Sequence, residues 1–177
     1  AMSILGELTG SREKLIALRS ALDAAEIWEQ VLATAMNRET PAVLMQQAIL
    51  LLPRSPRISD REVLPGLAIS AETQIRVAAV RAWAATNDPA CDEFLLQSIV
   101  TSSPQLKPTI IDLIGQQPTR IAALANSLAA GQFTAQQIGA IELKKLVTRA
   151  KDDVKQQLST ALESILNSNR AKVVADY

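Results

Sequence analysis

The chain has no histidine and a single cysteine among its 177 residues. Without histidine there is no imidazole to act as a general base, a metal ligand or an axial haem ligand. One cysteine, Cys91, cannot close an internal disulfide, so no covalent framework exists and the redox compartment stays open. Aromatics make up only 3% against 48% apolar residues overall, so the core has to be built from Ala, Leu, Ile and Val. The six glycines, at 6, 10, 66, 115, 131 and 139, are scattered, which excludes a glycine-rich phosphate loop. Few β-branched clusters argue against a sheet-rich fold. Neither charge predominates, with 18 basic and 18 acidic residues, so the cationic surplus typical of a nucleic-acid binder is missing. Apolar runs such as residues 48–52 fall far short of the ~20 residues needed to span a bilayer.

What is present is a series of helix-sized pieces cut by proline and polar clusters. Residues 11–23 put Leu15, Leu18 and Leu22 on one face. A second piece, 25–37, holds Ile27, Val31, Leu32 and Ala35. Thr40-Pro41 reads as N-cap and first residue of a third helix, running to the Pro53/Pro56 break. Ser59-Asp60 begins a fourth, ending near Ser70 and shortened or kinked by Pro65. The stretch "IRVAAVRAWAATNDP", residues 75–89, follows through Ser70 or Glu72-Thr73. Pro89, Pro104 and Pro118 open the next three helices, with Gly131 placed as C′ of the last. Thr134 caps a helix reaching about 149, and Asp152 or Asp153 caps a final one. In that final helix Val154, Leu158, Ala161, Leu162 and Ile165 form the clearest amphipathic stripe of the chain.

About ten short helices and no convincing strand predict an all-α protein. Ile75, Ala79, Ala82 and Trp83 align with Leu106, Ile110, Leu113 and Ile114 at an offset of 31, and a further step in the low thirties reaches Ile138 and Ile141. A helix-pair period of that size is characteristic of short α-solenoid repeats, here a right-handed α-α superhelix. Whether the array is an open superhelix or a closed bundle is left open by the pattern.

Residues 75–89 carry two arginines with different placements. Arg81 shares a wet face with Gln74, whereas Arg76 sits about 20° from Trp83 inside the apolar arc. A guanidinium there needs a partner or a route to water. Two readings stand. Either its stem packs on Trp83 and the charge escapes at an edge, or Arg76 bridges to an acid of an adjoining repeat, with Asp88 and Asp112 as candidates. Asp88 and Pro89 close one repeat and open the next.

This stretch resembles the second helix of a HEAT repeat, with its Val-Arg-x-x-Ala-type core and Asp-Pro stop. The terminal "NSNRAKVVADY", residues 167–177, is similar to the junction after the HEAT-like segment of large bacterial multidomain membrane-bound dehydrogenase or haem-binding proteins. That resemblance implies a sugar-dehydrogenase-like propeller before the segment, a c-type cytochrome domain after it, and a periplasmic or secreted location. Haem c would belong to the neighbouring domain. No cofactor is expected in this chain, and no catalytic residue of the family maps onto it.

Other motifs have simpler explanations. Cys91, near a helix N-terminus but beside Asp92 and Glu93, reads as a small, partly buried core residue. Ser11 to Lys14 matches Ser-x-x-Lys, yet Ser11 is best explained as an N-cap. Asp60/Glu62, Asp92/Glu93 and Asp152/Asp153 sit in first turns, favoured by the helix dipole. Lys144, Lys145, Arg149 and Lys151 form a solvated face or a docking surface for an acidic partner. Residues 1–10, opening on Ala1-Met2, read as an artificial junction or linker, ahead of which a natural leader can have been cut away. Residues 11–168 are the helical domain, and 169–177 begin a linker. The expected role is a non-catalytic scaffold or interaction segment, with neighbouring domains or another protein as partner. A free-standing HEAT-like adaptor is the alternative, and a HEAT-like nucleic-acid-acting protein is disfavoured by charge and aromatic content.

Overall fold

The structure is a computed structural model that describes residues 25–175. The predicted helix over 11–23, Ser11 and Lys14 within it, and the junction at 1–10 lie outside the described residues. Ten α-helices and two 3-10 turns make up the described part, which contains no strand. The chain divides between Thr86 and Asn87 into two compact units.

The first unit contains α1 (Ala25–Met36), α2 (Ala42–Leu51), 3-10 turns at Leu52–Arg54 and Ile58–Asp60, α3 (Leu64–Ala68) and α4 (Thr73–Ala84). α1 buries Trp28 and Ala35, two turns apart, and packs on α2. The indole N–H of Trp28 is buried without an acceptor, so this anchor is held by its apolar area at some cost in an unmade hydrogen bond. α2 presents Met45, Ala48 and Ile49 to the core and packs on α4, as does α3.

Prolines set most of the boundaries. Pro41 is the N-cap residue of α2, with ψ 134, and not its first helical residue, so Thr40 does not cap it. Pro65 lies in the first turn of α3. There its missing N–H is harmless and its fixed φ helps the helix start, so it opens a helix rather than kinking one already begun. α4 buries Ile75, Ala78, Ala79, Val80, Ala82, Trp83 and Ala84. Small side chains around most of the circumference let neighbours approach on several sides, while Arg81 remains exposed.

The second unit contains α5 (Pro89–Thr101), α6 (Lys107–Ile114), α7 (Pro118–Ala129), α8 (Ala135–Ile138), α9 (Ala140–Arg149) and α10 (Asp152–Ala175). Asn87 takes a left-handed φ of 56, Asp88 accepts a hydrogen bond from the Ala90 N–H, and Pro89 is the first helical residue of α5. Asn-Asp-Pro is therefore a complete helix-start device. α6 begins at Lys107, after a turn in which Leu106 and Lys107 N–H groups bond the Ser103 carbonyl. Pro104 belongs to that turn, and Pro108 occupies the helical first turn in its place.

Gly131 follows α7 with φ 71, the left-handed C′ residue that the sequence assigned. Thr134 and Gln137 make a reciprocal capping box on α8. The helix expected from Thr134 to 149 is interrupted at Gly139, whose φ 103 and ψ 148 are open to glycine alone. α10 runs unbroken to Ala175, into the stretch from 169 where a linker was expected to begin. α5 packs on α6 and α6 on α7, while α6 also meets α9 and α7 meets α10. Helices three apart in chain order are thus neighbours in this unit, as are consecutive ones.

Candidate functional site

Five side-chain bonds join segments 28 or 30 residues apart in the sequence. In the first unit, Gln46 Nε2 donates to Gln74 Oε1 at 2.9 Å, 28 residues away. Arg57 Nη1 reaches Glu29 Oε1 at 3.4 Å, also 28 residues away. In the second unit, Gln117 Nε2 donates to Asn87 Oδ1 across 30 residues at 2.9 Å. Arg120 Nε donates to Asp92 Oδ1 across 28 residues at 2.6 Å. The Lys107 ammonium donates to the Gln137 carbonyl across 30 residues.

The Arg120–Asp92 pair is the most demanding of these. The Arg120 side chain is 2% exposed, Asp92 is 40% exposed, and Arg120 Nη1 also donates to the Leu113 carbonyl at 3.3 Å. A buried guanidinium is tolerable because a carboxylate and a carbonyl both face it. This is the arginine-to-acid bridge expected of Arg76, formed by a different arginine. Arg76 donates from Nη2 to the Ala71 carbonyl at 3.3 Å, at the entry to its own helix. Its Nε is buried without a partner. Trp83, one heptad along, is 6% exposed.

The two acids proposed as its partners act elsewhere. Asp88 caps α5, with Pro89 beside it. Asp112 faces Arg149 at 3.6 Å, both about half exposed. Arg149 lies across the end of α6, where a Cβ on Gly115 would stand 2.7 Å from its Nη1. Lys144, Lys145, Arg149 and Lys151 are all exposed, and Arg149 in addition meets Asp112 of α6.

Cys91 is wholly buried. Burial pushes its thiol up to about 12, with Asp92 and Asp88 adding to the rise and the Arg120 guanidinium opposing it. It is a neutral core group and not a nucleophile. A second buried polar knot has no counterpart in the sequence reading. Ser55 Oγ donates to Asp60 Oδ2 at 2.5 Å, Arg57 Nε donates to the same oxygen at 3.0 Å, and Arg61 Nη2 donates to the Ser55 carbonyl at 2.6 Å. Ser55 and Asp60 are both wholly or nearly wholly buried. The proline-rich loop at 52–61 hides this knot from periodicity, since no helical pattern organises it.

Among the described residues no group of three or more His, Cys, Asp or Glu is placed to hold a metal ion. No described helix is long and apolar enough to cross a membrane. Comparison of the chain with protein-family models, curated proteins and solved structures finds no match in any of the three.

Proposed function

We propose that the chain is a non-catalytic, HEAT-like helical segment that holds attached parts at fixed spacing. The observation supporting this reading is that polar side-chain bonds join segments 28 or 30 residues apart in both units, three of them between helices. Bonds between equivalent positions one repeat apart are what a stack of helix pairs makes. The resemblance at 167–177 adds the larger context of a periplasmic or secreted protein with a dehydrogenase-like propeller and a c-type cytochrome domain as neighbours.

Single-molecule energy transfer tests the spacing role. Dyes are placed on Glu39→Cys and Ser164→Cys, both exposed positions, in a Cys91→Ala background. A rigid spacer gives one narrow transfer peak below the unfolding transition. A broad or multiple distribution under native conditions would overturn the reading, leaving an adaptor with independently moving parts.

A further inference from the structure

The described residues of the first unit line a groove. A cavity of about 550 Å³ opens between the C-terminal end of α1, α2, α3 and the start of α4. Its floor is apolar, with Ala35, Met45 and Ile75 buried beneath it. Met36, at its edge, is 51% exposed, and methionine adapts readily to the shape of an incoming group. The volume lies within the range of sites that accept a ligand or an anchoring side chain.

Gly66 is the telling residue. It lies inside α3, where glycine costs roughly 0.5–1 kcal/mol relative to alanine. Its φ is not positive, and a Cβ built on it meets nothing within 4 Å. Neither backbone conformation nor close approach requires glycine here. Gly66 lines the groove, and a side chain added there would stand in open space beside it.

The rim has a definite charge pattern. Glu62 and Glu72 are exposed carboxylates on the groove, and among the described residues Arg38 is the one cation lining it. No described ion pair uses any of the three. We propose that this groove docks a peptide segment bearing one aliphatic anchor flanked by basic residues, the anchor seated over Gly66 and a cation facing Glu62 and Glu72. The proposal goes beyond the spacing role and depends only on the first unit.

The test uses the full chain and a fluorescein-labelled peptide with one leucine between two arginines in a Gly-Ser background, read by anisotropy. Binding is expected below about 1 mM and weaker in high salt. Gly66→Phe fills the groove from an open helical position and should weaken binding at least about tenfold while raising or preserving the melting temperature. Glu62→Gln/Glu72→Gln, two surface changes, should weaken binding several-fold and remove its salt dependence. The proposal is overturned if the arginine peptide does not bind. It is equally overturned if an aspartate-flanked peptide binds as well, or if folded Gly66→Phe binds unchanged.

Discussion

Removing the acid of the buried pair should cost more than removing the arginine. Arg120 is almost wholly enclosed, with Asp92 at 2.6 Å and the Leu113 carbonyl at 3.3 Å. In Asp92→Ala the guanidinium keeps the carbonyl but loses the carboxylate 2.6 Å from its Nε, in a place water barely reaches. Breaking a fully buried pair costs about 3–5 kcal/mol, and the partial exposure of Asp92 reduces this to about 2–3 kcal/mol. In Arg120→Met the surviving carboxylate is already 40% exposed and rehydrates, while methionine fills the vacated volume. The cost is then about 0–1.5 kcal/mol. Asp112→Ala, which breaks a 3.6 Å pair with both partners near half exposure, is the control at about 0–0.5 kcal/mol. Urea titrations of the three variants and of Asp92→Ala/Arg120→Met give the order and the coupling energy. Asp92→Ala should lower the melting temperature by about 5–10 °C, and the double variant should be more stable than Asp92→Ala alone. An Asp92→Ala cost below that of Arg120→Met would refute the reasoning, because it would mean that the guanidinium is not stranded.

Gly139→Ala should destabilise by about 1–3 kcal/mol, because φ 103 with ψ 148 is closed to an L side chain; thermal melts beside Gly66→Ala, expected to be stabilising, separate the two glycines. Asp60→Ala should cost about 2–4 kcal/mol by leaving the Ser55 hydroxyl and the Arg57 guanidinium without their shared acceptor, as read in denaturant titration with an unchanged m value. The Cys91 thiol keeps its proton in the folded state up to about 12, against 9.0 ordinarily, so in that window the unfolded chain binds fewer protons. Stability should therefore fall as pH rises through it, by about 1.4 kcal/mol per unit more in the wild type than in Cys91→Ala. The native thiol should resist a disulfide reagent until urea unfolds the protein.

Helices were legible where one residue type has one use. Pro89 and Pro118 stand at first helical positions, Thr134 caps, and Gly131 terminates, as their chemistry requires. Pro41, Pro65 and Pro104 were misplaced because a fixed φ suits an N-cap, a first turn or a preceding bend equally well. Only the neighbouring fold selects among them. Gly139 illustrates the opposite difficulty, since a lone glycine in a helical pattern gives no sign of whether its φ is ordinary, as at Gly66, or left-handed. The arginines show the limit most clearly. A helical wheel put Arg76 on the apolar arc and asked for a partner, but it reports direction only. The bridging acid belongs to whichever helix lies opposite, and that made Arg120, two residues past Pro118, the buried cation.

A core of alanine, leucine and isoleucine has a consequence for how these helices find their register. Surfaces of small and aliphatic side chains gain nearly as much from one alignment as from a neighbouring one, because burial is non-directional. Directional bonds are different, since a shift of one turn leaves both partners unmade and, for Arg120, leaves a charge stranded. Of the braces at 28 and 30 residues, Gln46–Gln74 and Arg120–Asp92 fix one residue of a helix against one residue of a neighbour, and Arg57–Glu29 and Gln117–Asn87 tie the connecting segments. Their net stabilisation is small where they are exposed, yet each slipped alignment carries the penalty of breaking them. Polar side chains set the register in each unit, and the aliphatic core holds the helices together once it is set.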